Sequence, residues 1–128
     1  MYHVRCLAKL HIDNRIIAMF YNCVVSSVLC YAISCWYKRL NKYEKKAVER
    51  PRKKVVKIIS SSVHHIIEDI QVVHKSRCLS LLKTILNDNT HPLYNCFVFL
   101  PHGRLDMPSS NTSRYHDSFV PTVVKLCN

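Results

Sequence analysis

Apolar positions along the chain fall into three patterns, and each predicts a different element. From Ile16 to Tyr37 the run IIAMFYNCVVSSVLCYAISCWY contains no charged residue. Asp13 or Asn14 can cap a helix here that runs to about Trp36 and is buried on most of its sides. Residues 1–12 show no clear period and read as a short lead-in. From Leu40 onward the pattern changes to helical periodicity. Leu40, Tyr43, Ala47, Val48, Val55, Ile58 and Ile59 share one face, and Lys42, Lys46, Arg50, Lys53 and Lys57 form a stripe on another. Asn41 and Glu44 have capping-box spacing at the start of this second helix. Pro51 lies in the apolar face and predicts a kink or break there.

Ser60-Ser61-Ser62 reads as a connection. Beyond it a short helix is expected around Ile66–His74 and another from Ser76 to Leu86, with Leu79, Leu82, Ile85 and Leu86 inward and Asn87-Asp88-Asn89 as the stop. Residues 101–117 carry Pro101, Gly103, Pro108 and a Ser/Asn/Thr cluster, which is loop chemistry. The closing SFVPTVVKLCN is too short to assign. The predicted architecture is mainly α: a small bundle of three to four helices with a loop-rich C-terminal third, an incomplete domain. Its expected division is a helical region, 1–100, followed by a tail, 101–128.

Composition narrows the function. Among 128 residues there is one glycine, Gly103. Dinucleotide folds, P-loops and related turns need glycines where the backbone approaches phosphate, so those classes are excluded. The net charge is +11, and the segment from Lys38 to Lys57 supplies most of it: ten cations less Glu44 and Glu49, or +8. Such a balance favours polyanionic partners. Seven cysteines, an odd number with three inside the apolar run, read as reduced thiols used as small hydrophobes in a cytoplasmic or nuclear protein.

The charge-free run is also long enough to reach across a bilayer core of about 30 Å, with the denser basic cluster on the cytoplasmic side. Asn22, Ser26, Ser27 and Ser34 weaken that reading. A small basic membrane-anchored protein therefore stands as a minority alternative.

Candidate chemistry is sparse. His11-Ile12-Asp13 has the His-x-Asp spacing of a non-haem iron triad, but the fold that would supply the distal histidine does not fit this length. Cys78, His91, Cys96 and His102 invite a zinc reading, yet the close Cys pair that structural zinc sites use is missing. His64-His65 and Cys23 with Cys30 offer no triad, since no acid stands at a recognisable spacing. The sequence thus predicts no catalytic residue, no metal, no cofactor and no small-molecule substrate. The basic stripe is the feature with a partner: DNA or RNA, held weakly through phosphates and without base reading. The bland alternative is a solvated face.

Three stretches together resemble the end of the reverse-transcriptase reading frame of vertebrate LINE-type (non-LTR) retrotransposons. They are FYNCVVSSVLCYAISCWY (20–37), SRCLSLLKTILNDNTHPLYNCFVFLPHGR (76–104) and SFVPTVVKLCN (118–128). The likeness lies in the combination, especially Phe20-Tyr21, Trp36-Tyr37, His91-Pro92, Leu100-Pro101 with Gly103-Arg104, and Ser118-Phe119, Pro121 and Asn128. It covers nearly the whole chain from about Lys9, and none of it is a catalytic motif. In that family this region follows the polymerase palm as a thumb-like helical part and its tail. The resemblance therefore implies a non-catalytic C-terminal fragment of an RNA-directed DNA polymerase. The first half also resembles the N-terminal segment of an AlkB-homologue tRNA methyltransferase and 2-oxoglutarate dioxygenase, which gives an RNA-modifying oxidoreductase as an alternative. Departures from the LINE pattern, including Pro51, Lys38 in place of the glycine after Trp-Tyr, and Leu105-Asp106-Met107 after Gly103-Arg104, read as drift.

Overall fold

Val4, Leu7 and Ala8 recur at helical spacing, and in the computed structural model they lie on the first helix, α1 (Tyr2–Lys9), where the sequence predicts only a lead-in. The structure describes residues 2–59, 61–109 and 111–128. It is mainly α-helical; among the described residues the β structure is one isolated antiparallel bridge, Phe99 to Leu105. Ser60, in the expected connection, lies outside the described residues, and Ser61–Ile66 forms a 3-10 turn.

Asp13 caps α2 (Asn14–Phe20), its carboxylate accepting the Arg15 N–H at 2.7 Å. The helix then widens to π geometry over Tyr21–Ser26 and tightens again as α3 (Ser27–Leu29). Ser27 Oγ donates to the carbonyl of Cys23 at 2.6 Å, a back-bond that competes with the regular ladder. The single helix expected to reach Trp36 does not form. The chain turns at Cys30–Ala32, with Ala32 left-handed at φ 46°, and restarts as α4 (Ile33–Trp36), followed by a 3-10 turn, Tyr37–Arg39. Nor is the stretch buried on most sides. Ile17, Ala18 and Tyr21 are buried, while Ile16, Met19, Val24, Val28 and Tyr31 face solvent. Among the described residues no single helix is long and apolar enough to cross a membrane; Asn14–Leu29 and Ile33–Arg39 reach that composition only when taken together.

The capping box forms as predicted at the start of α5 (Lys42–Ile58). Glu44 N–H donates to Asn41 Oδ1 at 2.9 Å, and Asn41 N–H donates to Glu44 Oε2 at 2.8 Å. Of the kink or break expected at Pro51, the break is absent: α5 is one helix through it. Pro51 removes the N–H that would bond Ala47, and Ala47 is at an exposed position where water can take its carbonyl. The two short helices expected on either side of Lys75 are one, α6 (Ile70–Asn87). Asp69 opens it, accepting the Gln71 N–H at 2.8 Å. Leu82 and Ile85 are buried as predicted, with Leu79 and Leu86 half-buried.

The C-terminal third is irregular from Phe97 to Ser109 and later forms α7 (Ser113–His116) and α8 (Phe119–Cys127). Pro121 is tolerated in α8 because it stands in the first turn, where its missing N–H has no intrahelical partner.

The chain forms two compact units, Met1–Tyr31 with Leu40–Val73, and Ala32–Arg39 with His74–Asn128. The core of the first is Val4, Ile17, Ala18, Tyr21, Val55, Ile59 and Ile67. That of the second is Cys78, Leu82, Ile85, Phe97, Leu105, Val123 and Val124. Each fully buried Val, Ile, Leu or Phe among them contributes about 1.5–3 kcal/mol. In the second unit Asn128 pairs with one backbone residue twice: its Oδ1 accepts Leu105 N–H at 3.0 Å and its Nδ2 donates to Leu105 C=O at 2.9 Å. The end of α8 is thereby tied to the bridge at Leu105.

Candidate nucleic-acid interface

Successive residues of an α-helix advance by about 100°, so Lys42, Lys53, Lys46, Lys57 and Arg50 fall, in that order, across an arc of about 80°. All five are exposed. The stripe runs about 22 Å along the axis, at about 1.5 Å per residue. Because α5 continues through Pro51, it stays on one face. The opposite side holds the helix in place: Val55 is fully buried, and Val48, Val56 and Ile58 are half-buried.

The acids of this helix are committed elsewhere. Glu44 serves the capping box. Glu49 accepts from Arg52 Nε at 2.8 Å through Oε2 and from the backbone N–H of Ile70, the first residue of α6, at 3.0 Å through Oε1. Arg52 also donates to Asp69 Oδ2 at 3.2 Å. The hydrogen bond that Arg52 donates to Glu49 raises the Arg52 pKa above its ordinary value, with further help from the Glu49 and Asp69 charges against the cost of burial. Tyr21, buried nearby, is pushed up to about 12 by burial first and the Glu49 charge second. Among the described residues the ion pairs are Arg52–Glu49, Arg52–Asp69 and His116–Asp117; none involves a stripe residue. The five cations are therefore available to an external anion.

The other sequence candidates are placed apart or occupied. Asp13 is a helix cap, and His11 stands just before it with positive φ. Cys78 is buried against His74, Sγ to Nε2 at 3.5 Å, and burial, with the nearby Cys35, pushes its thiol up to about 11. His91 Nδ1 accepts the Leu93 N–H at 3.1 Å. The side chain of His64 lies outside the described residues, and His65 is exposed. The cysteines are free thiols, and among the described residues no three His, Cys, Asp or Glu side chains gather as a metal-binding group.

Two residues of the exposed arc were not legible as such. Lys54 flanks the stripe beyond Arg50 and faces solvent. Tyr43, assigned by periodicity to the buried face, is 81% exposed, and Ala47 beside it is also in solvent. The buried face of α5 centres on Val48 and Val55, which turns Tyr43 outward beside Arg50. A narrower apolar arc, drawn through Val48, Val55 and Ile59 alone, would have left Tyr43 outside it.

Comparison with protein-family models, with curated proteins and with solved structures finds no match to this chain.

Proposed function

We propose that this chain is a non-catalytic segment derived from the post-palm region of a retrotransposon RNA-directed DNA polymerase. In this reading it contacts nucleic acid weakly, through phosphates, along Lys42, Lys46, Arg50, Lys53 and Lys57. The observation that carries the proposal is the commitment of Glu44 and Glu49 to backbone N–H groups and Arg52, which leaves the stripe uncompensated. The resemblance of residues 20–37, 76–104 and 118–128 to LINE polymerases supplies the class of partner. Lysines on one helix face act as point charges and do not match base edges, so binding is indifferent to sequence. Three to five such contacts give dissociation constants on the order of micromolar or weaker at physiological salt.

The test is an anisotropy titration of a labelled duplex at low salt with two double variants. Lys46→Gln with Lys53→Gln should weaken binding by about ten-fold or more, because two phosphate contacts are lost. Lys9→Gln with Lys125→Gln, two exposed positions outside α5, should change it little. Equal effects of the two pairs would overturn the assignment of the interface to α5.

A further inference from the structure

We infer that Tyr43 is a stacking platform for an unpaired base, so that the partner of the stripe is single-stranded nucleic acid in preference to duplex. This rests on the phosphate-contact reading above and adds to it the form of the polynucleotide.

The ring is 81% exposed on a helix whose other side is anchored in a core. No ring contact or hydrogen bond holds it: the aromatic pairs among the described residues are Tyr2–His3, Trp36–Tyr37 and Tyr37–His74. The residue one turn further along on its side is Ala47, whose methyl group is too small to cover the ring. The backbone beneath it is fixed, since Tyr43 sits inside the Asn41–Glu44 capping box. With the backbone already fixed, a base landing on the ring has only the two side-chain torsions of a tyrosine to order, a small entropic cost.

Its neighbours complete the platform. Lys42 precedes it, Lys46 lies one turn along, and Arg50 lies two turns along on the adjoining edge. Cations that track a backbone beside an aromatic ring are the two parts of a sequence-tolerant single-strand site. In a duplex the bases are paired and stacked, so their faces are closed to the ring and only the phosphate contacts remain. The acid nearest in sequence, Glu44, is held by Asn41 N–H, and its position on the helix is about 100° from Tyr43, away from the stripe.

Fluorescein-labelled mixed-sequence 20-mers, single-stranded and as the matching duplex, should be titrated with the full chain at low salt. The single strand should bind more tightly by about five-fold or more, against the greater charge density of the duplex. Tyr43→Ala should abolish that preference while leaving duplex affinity and both salt slopes unchanged, and Tyr43→Phe should retain it. Circular dichroism confirms that the exposed substitutions leave the helix content intact. Duplex binding with no preference for the single strand, or a preference that survives Tyr43→Ala, would overturn this inference and leave the phosphate reading standing. No binding to either form would overturn both.

Discussion

Arg52 donates its Nε–H to Glu49 Oε2 at 2.8 Å, and this pair separates the cations of α5 into two populations. Arg52 belongs to the structure, tied to Glu49 and Asp69 at the start of α6. The stripe on the far side has no such obligation. A charge count alone gives ten cations and two acids between Lys38 and Lys57; geometry says which of them are spoken for.

Glu49 should therefore matter to stability and not to the stripe. Its side chain is 14% exposed, and its loss leaves the Ile70 N–H without its acceptor and Arg52 with Asp69 alone. Glu49→Ala should lower unfolding stability by about 2–3 kcal/mol. Glu44→Ala, which removes half of a solvent-exposed capping box, should cost about 0.5–1 kcal/mol. Urea denaturation compares the two, and equal losses would contradict the role given to Glu49.

Ala32 sets a second expectation. It is left-handed at φ 46° and exposed, and an L-residue there carries a steric cost of about 1–2 kcal/mol. Glycine has no such cost but loses more entropy on folding. Ala32→Gly should raise stability by about 0.5–1 kcal/mol, read as an increase in Tm. A decrease would show that the turn at Cys30–Ala32 is held by something other than backbone conformation.

Alkaline pH should unfold the chain through two buried groups. Burial raises Cys78 from 9.0 to about 11 and Tyr21 from 10.0 to about 12. Both groups bind their protons more tightly in the folded state. The stability linked to them is therefore complete below the unfolded values and is lost as pH rises through the folded ones. The thermal midpoint should fall between about pH 9 and pH 12, and Tyr21→Phe should remove the upper part of that fall. A variant profile parallel to that of the parent would contradict the burial of Tyr21. At pH 8 the Cys78 thiol should also react with a disulfide reagent far more slowly than exposed Cys23, Cys35, Cys96 and Cys127.

Where a local rule had no competitor, the sequence was legible. The Asn41–Glu44 box and the Asp13 cap form because a short side chain reaching a nearby N–H depends on little beyond the local chain. The stripe was legible because a charged residue seldom accepts burial. What failed depended on context. Pro51 breaks nothing because the Ala47 position is open to water. The apolar run divides because the turn at Ala32 uses a conformation usually marked by glycine, in a chain that has one glycine. Helix α8 was unassignable from eleven residues, since Val123 and Val124 find their core in Phe97, Leu105 and α6 far away in sequence. Tyr43 was misplaced because periodicity gives an apolar arc and not which edge of that arc the core covers.

The salt dependence of duplex binding tests the account most directly. Each phosphate neutralised contributes about 0.9 to the slope of log affinity against log salt, so three to five contacts predict a slope of about −3 to −5. Changing Lys46 and Lys53 to glutamine should make that slope shallower by about two. No binding at low salt, or binding whose strength does not change with salt, would contradict the assignment of the α5 stripe as a phosphate-contacting surface.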